Sequence, residues 1–174
     1  AALHIISELV SQEFDIATSS ETETEGGFGH AFAWVVGRML ESVTIPMVPV
    51  LINTYYPPNQ PSPGRCYDLG RAIAAAVDSL PGDLRVAVIA SGGLSHFVVN
   101  DDLDQQILEA MRTHDETTLR TLPVEQLDSG TSEVRNWIAA AGAGEKLEHR
   151  WSEYIPAWRT PAGTGVGLAF GLWT

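Results

Sequence analysis

Residues Leu84–Phe97 read LRVAVIASGGLSHF, and the order of their parts decides the fold. Leu84–Ser91 is rich in apolar and β-branched residues, the pattern of a strand covered on both faces. Two glycines then let the backbone turn tightly, and Ser95 and His96 follow just beyond the strand end. Upstream, PGD (Pro81–Asp83) turns the chain out of a helix spanning Arg65–Leu80, whose Leu69, Ile73, Ala76, Val77 and Leu80 share one face. Before that helix lies a second apolar strand, Ile45–Thr54 (IPMVPVLINT), interrupted by prolines that donate no ladder bond. Strands separated by helices of this length predict an α/β fold with a mostly parallel central sheet flanked by helices.

The rest of the chain extends that alternation. Helices are expected at Leu3–Gln12, Ala31–Leu40, Asp101–Arg112 and Thr131–Ala141, a short strand at Phe14–Thr18 and a terminal strand at Val166–Trp173. SSETETEGG (Ser19–Gly27) reads as a polar loop, and YYPPNQPSPG (Tyr55–Gly64) as a rigid segment too short for a linker. There is no internal repeat. A chain of 174 residues supports one domain with a real core, residues 1–174, and not two comfortable ones.

Composition narrows the function. Acidic residues outnumber basic ones 22 to 10, a formal charge of −12 that repels a phosphate backbone, so no nucleic-acid partner is expected. A lone Cys66 makes neither an internal disulfide nor a cysteine-rich zinc site. No apolar run approaches the roughly 20 residues of a spanning helix, so no membrane partner is expected. AALHIISELV lacks the basic flank and cleavage site of a signal peptide, and a cytoplasmic location is expected. Ala1 is not a methionine and falls at the start of a helix, or inside one, with no cap before it. Processing fits that observation, and so does a chain that begins partway through a larger domain.

Ligands of open α/β sheets sit beyond the carboxyl ends of the strands, which singles out GGLSHF and the YYPPNQPSP loop. Histidine titrates near neutrality, so His96 is placed for acid–base work; capping the next helix or packing under Phe97 is the structural alternative. In SGTSEVRNW (Ser129–Trp137), Glu133 borders the apolar stripe of Val134, Trp137, Ile138 and Ala141. A carboxylate there needs a metal, an arginine or a proton, or else simply answers the unpaired amides of the first helical turn. His30 follows a glycine-rich loop at a helix start, where capping or solvent exposure is the alternative to site membership. His4, His114 and His149 sit in amphipathic or charged settings without a role, and Cys66 reads as a small buried residue. The acidic run Glu21–Glu25 lacks the ligand spacing of a calcium loop. AGTGVG (Ala162–Gly167) lacks the Lys-Ser/Thr pair and the strand–helix context of a nucleotide loop.

Taken together, NTYYPPNQPSPGRCYDLGRAI, VAVIASGGLSHFV, LDSGTSEVRNWIAAAG and YIPAWRTPAGTGVGLAFGLW resemble one family over nearly the whole chain. It is the catalytic subunit of class III extradiol ring-cleavage dioxygenases, the group that includes the protocatechuate 4,5-dioxygenase beta subunit. GGLSH and G-x-x-E-x-x-x-W, with the distance between them, are the specific parts. The resemblance implies non-haem Fe(II) held by two histidines and one carboxylate, with open positions for substrate and dioxygen. A catechol-type aromatic diol would chelate the iron, and the ring would open beside the diol while a histidine serves as acid and base. Residue by residue, the resemblance makes Glu133 the carboxylate ligand and His96 the acid–base histidine. It sets His30 near a family histidine whose D-H-G motif is here replaced by E-G-G-F-G-H. Tyr55, Tyr56 and Pro57 fall at the pocket-lining strand end, and Ser95 joins them on the substrate side.

The family's two histidine ligands lie upstream of anything matched here, and none of the five histidines takes either position. The resemblance therefore implies the C-terminal portion of a dioxygenase domain, inactive on its own, with an exposed strand edge and apolar surface. It leaves open a homo-oligomer or a small partner subunit, and the choice among protocatechuate, gallate, homoprotocatechuate and aminophenols. Two rivals stand beside the dioxygenase: a non-enzymatic homologue used for binding or scaffolding, and a zinc-dependent hydrolase on the same ligands.

Overall fold

The computed structural model describes residues 1–21, 29–39 and 45–174. Apart from residue 21, the acidic run and the glycines that follow it lie outside the described residues. In chain order the elements are α1 (Ala2–Ser11), α2 (His30–Met39), α3 (Pro63–Asp78), β1 (His96–Val98), α4 (Asp101–Thr113), α5 (Glu116–Arg120), α6 (Val134–Ala143), β2 (His149–Trp158) and β3 (Thr164–Trp173). Short 3-10 turns at Val124–Gln126 and Ser129–Glu133 lead into α6.

Local chemistry sets the helix starts. Ser62 caps α3 by accepting from the Arg65 amide, with Pro63 at the first position where its missing N–H costs nothing. Asn100 caps α4, whose first turn carries Asp101, Asp102 and Asp104 and whose last turn carries Arg112, matching the helix dipole at both ends. α3 and α6 are the central packed pair, and they approach so closely that small residues are obligatory. A Cβ on Gly70 would lie 1.9 Å from the Ala139 carbonyl oxygen, and one on Gly142 would lie 2.2 Å from that of Tyr67. Around this contact Cys66, Tyr67, Leu94, Ile107, Leu127, Val134 and Ile138 form the main core, with Tyr154, Ala169 and Trp173 of the sheet packed against it. A smaller cluster joins Ile5 and Leu9 of α1 to Ala72 and Ala76 of α3.

The mixture of helix and strand agrees with an α/β composition, but the sheet is not the expected one. Among the described residues it has three strands in the order β1–β3–β2, and both pairings are antiparallel. β2 and β3 form a long hairpin in which Ile155 faces Leu168 and Glu153 faces Phe170. β2 escaped the sequence reading because its Glu, Ser and Pro break the apolar pattern. The expected strands 14–18, 45–54 and 84–91 have no ladder partner among the described residues. Phe14, Ile16, Val48 and Ile52 pack against the two core clusters, but other apolar side chains of these segments stay open to solvent: Leu51 is 79% exposed and Leu84 59%. No helix among the described residues is long and apolar enough to cross a membrane.

Candidate functional site

The site is built where α6 clamps the turn that follows residue 91. Glu133, Asn136 and Trp137 stand at i, i+3 and i+4 and so look out from one side. The Gly93 amide donates to Glu133 Oε2 at 2.9 Å. Asn136 Nδ2 donates to the Ser91 carbonyl at 3.0 Å, and the Trp137 indole N–H to the Gly92 carbonyl at 3.0 Å. These contacts fix the turn against the helix. Gly92 sits at φ +138°, a conformation that side chains rarely adopt, and a Cβ there would lie 2.7 Å from Glu133 Oε2.

The same turn delivers His96 to Glu133. His96 Nε2 lies 3.7 Å from Glu133 Oε2, and the two side chains are 20% and 38% exposed. The His96 amide donates to Thr131 Oγ1 at 3.0 Å, and its Nδ1 stands 2.9 Å from the Leu94 carbonyl oxygen. A carbonyl oxygen can only accept, so this contact is a hydrogen bond when Nδ1 carries the hydrogen, the tautomer whose Nε2 lone pair lies on the Glu133 side. A carboxylate oxygen and an imidazole nitrogen thus converge on one partly open point. Phe97, next in sequence, has φ +67°, and its ring is largely exposed. Strain of this kind in a bulky residue persists only where its surroundings hold it.

The other expected site residues are placed less directly. Ser95 is only 1% exposed, and its hydroxyl is spent on Asp104 Oδ2 at 2.6 Å while accepting from the Asn100 amide at 2.9 Å. It holds the loop from within and borders a cavity between Val98–Leu103 and Thr131. Tyr55 and Tyr56 are exposed and pack edge to face, with ring centroids 5.0 Å apart. Neither touches His96, but their loop is drawn to the start of α6. The buried Arg135 donates to the carbonyls of Thr54, Pro61 and Leu127, and Ser132 Oγ meets Thr54 Oγ1 at 3.3 Å. Burial pulls the guanidinium of Arg135 below its ordinary pKa. His30 is exposed on the first turn of α2 and bonds neither His96 nor Glu133. That turn is nevertheless tied to the site, because Ser91 Oγ donates to the Ala31 carbonyl at 2.9 Å. Cys66 fits its structural reading: it is buried, and burial pushes its thiol up to about 12, against the opposing charge of Arg135.

The sequence reading missed Asp104, Thr131 and Arg135. Asp104 was legible in retrospect, since it shares the i, i+3, i+4, i+7 face of Ile107, Leu108 and Met111, where a carboxylate is out of place. Thr131 and Arg135 act through backbone groups distant in sequence, which no local pattern reveals.

As a metal centre the arrangement is incomplete. Among the described residues no group of three His, Cys, Asp or Glu side chains comes together, so they do not by themselves fit Fe(II). The cavity beside Ser95, about 530 Å³, opens between Val98–Leu103, Gln126 and Thr131. Neither His96 nor Glu133 lines it, so it is not the space on which they converge.

Comparison with known proteins matches the family described as the catalytic LigB subunit of aromatic ring-opening dioxygenase over residues 1–168. A gallate dioxygenase of Pseudomonas putida is 29% identical over 167 residues, covering 88% of this chain and 48% of that protein. A 2,3-dihydroxyphenylpropionate/2,3-dihydroxicinnamic acid 1,2-dioxygenase of Comamonas testosteroni is 34% identical over 95 residues, covering 55% of this chain and 28% of that protein. Its counterpart in Rhodococcus jostii is 34% identical over 96 residues, covering 55% and 29%. The chain therefore spans about half, or less, of the length of these relatives.

Proposed function

The chain belongs to the LigB family of aromatic ring-opening dioxygenase catalytic subunits, and from that premise we propose that the whole protein is an Fe(II)-dependent extradiol dioxygenase. Its substrates are dioxygen and a catechol-type aromatic, of the kind named by relatives that act on gallate and 2,3-dihydroxyphenylpropionate. The observation that carries this reading is the convergence of His96 Nε2 and Glu133 Oε2 at 3.7 Å on a turn clamped by α6. In it Glu133 is one iron ligand, and two histidines from outside the described residues complete the set. His96 is the acid–base residue: its Nε2 lone pair faces the site and can take a proton there and return it. Tyr55, Tyr56 and His30 border the substrate side. The 174 residues are one part of a single dioxygenase domain, in which segments 45–54 and 84–91 become strands of a mostly parallel central sheet. Their apolar composition and their partly exposed, unpaired state support that placement.

The test is an anaerobic Fe(II) titration followed by oxygen uptake with gallate, protocatechuate and 2,3-dihydroxyphenylpropionate, run on this chain and on the whole protein. Equimolar iron binding and substrate-dependent uptake are expected for the whole protein, and no tight binding for the chain alone. A whole protein that turns over with zinc and no dioxygen is a hydrolase. One that binds aromatics without any metal is a binding module. Either result overturns the proposal.

A further inference from the structure

Asp104 is a fully buried carboxylate with no basic partner among the described residues, and two of its bonds lead to the loop that carries His96. The Ser95 amide donates to its Oδ1 at 2.9 Å, and the Ser95 hydroxyl to its Oδ2 at 2.6 Å. Tyr154 of β2 closes the arrangement, its hydroxyl lying 2.8 Å from Asp104 Oδ2 and 2.7 Å from Asp101 Oδ1 and sharing one proton between them. A buried charge without a counter-ion is expensive unless its hydrogen bonds are met, and here both oxygens are occupied.

The consequence lies in the peptide unit between Leu94 and Ser95. Its N–H is the one held by Asp104, and in a planar trans peptide the C=O points the opposite way. That C=O is the acceptor of His96 Nδ1–H at 2.9 Å. A carboxylate bound to the N–H end polarises the unit and strengthens its carbonyl as an acceptor. We propose that Asp104 is the positioning residue of His96, acting through the Leu94–Ser95 peptide as a carboxylate–peptide–imidazole relay that keeps the imidazole hydrogen on Nδ1 and the Nε2 lone pair facing Glu133. The relay also gives a purpose to a glycine of AGTGVG. A Cβ on Gly167 would lie 1.9 Å from Asp104 Oδ2 and 3.0 Å from Ser95 Oγ, so only glycine lets β3 cover the pair. β3 then pins the loop from the other side, with the Leu94 amide donating to the Gly167 carbonyl at 2.9 Å and the Gly167 amide to the Ser95 carbonyl at 2.8 Å.

The inference rests on His96 being the acid–base residue, but its test needs neither iron nor substrate. Two-bond proton–nitrogen spectra of the 174-residue chain report which ring nitrogen of neutral His96 carries the hydrogen. The wild-type chain is expected to show the Nδ1–H form in excess. Asp104→Asn keeps an oxygen for the Ser95 amide and should preserve that excess, whereas Asp104→Ala releases the peptide that holds the Nδ1 hydrogen and should reduce the excess by up to about tenfold, the worth of that Nδ1 hydrogen bond. Two results overturn the proposal: a wild-type His96 protonated on Nε2 when neutral, whether or not any variant folds, and a folded Asp104→Ala chain with the tautomer unchanged. Should Asp104→Ala not fold, Tyr154→Phe supplies the comparison: it frees one bond at Oδ2 and leaves the Ser95 amide bound, so the tautomer should hold. A lost tautomer there breaks the relay as drawn. A whole protein that lacks ring cleavage while the tautomer is intact counts against the dioxygenase reading and leaves the relay standing.

Discussion

Gly92→Ala tests the clamp on which the site depends, because two costs arise there from different sources. The first is conformational. At φ +138° an alanine occupies backbone space that is nearly exclusive to glycine, a strain of about 1–3 kcal/mol. The second is steric and local to Glu133. The new Cβ would stand 2.7 Å from Oε2 and 3.1 Å from the Glu133 Cβ. The carboxylate can swing aside, but it then gives up the bond from the Gly93 amide, a charged hydrogen bond worth about 1.5–3 kcal/mol and less at this exposure. Together the loss should be about 2–5 kcal/mol. Denaturant unfolding of the wild type, Gly92→Ala, Glu133→Ala and the double variant separates the two. The strain survives in both backgrounds, while the carboxylate part disappears once Glu133 is gone, leaving a coupling of about 1–2 kcal/mol. A Gly92→Ala cost below about 1 kcal/mol, or an equal cost in both backgrounds, refutes the geometry of the clamp.

In the whole protein Glu133→Ala should abolish iron retention, whereas His96→Ala should keep iron and substrate while turnover falls by about 10²–10⁴-fold; metal analysis and oxygen uptake check both. Gly70→Ala drives a Cβ into the Ala139 carbonyl, backbone that cannot step aside, and should cost at least about 1–3 kcal/mol as a lowered denaturant midpoint. Cys66 has its folded pKa raised from 9.0 to about 12, so the folded state holds that proton more tightly than the unfolded one. Its contribution is complete below pH 9 and is lost as the pH climbs from 9 towards 12, and a thiol reagent at neutral pH should label the chain only as it unfolds.

What was legible in the sequence was whatever local periodicity or a short motif records. α1, α3, α4 and α6 announce themselves through apolar spacing, and GGLSH with the glutamate before Trp137 marks the two residues that the structure brings together. What was not legible depends on partners far along the chain. Ser95 reads as a residue offered to solvent beside His96, yet Asp104 turns its hydroxyl inward. Trp137 reads as apolar stripe, yet its indole N–H is one of the bonds that hold the turn. Arg135 reads as a polar position in an amphipathic helix, and instead it is buried, gathering carbonyls from Thr54, Pro61 and Leu127. The strand pairing was not legible for the same reason: an apolar run says that a strand would be buried, not which neighbour is there to pair with it.

The unpaired segment 84–91 and the turn that carries the proposed iron ligand's partner are consecutive stretches of one chain, and this ties their fates together. Segment 84–91 ends in the turn whose Gly93 amide holds Glu133, so whatever fixes the segment also fixes the site. In the chain alone, Val86, Val88 and Ile89 are each 48% exposed, and no ladder among the described residues shields their amides. Those amides should exchange with solvent nearly unprotected, while those of α3 and α6 approach the limit set by global unfolding. In the whole protein, pairing in a parallel sheet should slow exchange over 85–90 by at least about 10³-fold, because opening would then require breaking a core strand. Iron binding should rise with that protection, since the ligand set and the sheet would be completed together. Amides that stay unprotected in an iron-bound whole protein would break this link: segment 84–91 would then be an exposed extended edge, and the site would owe its completion to something other than the sheet.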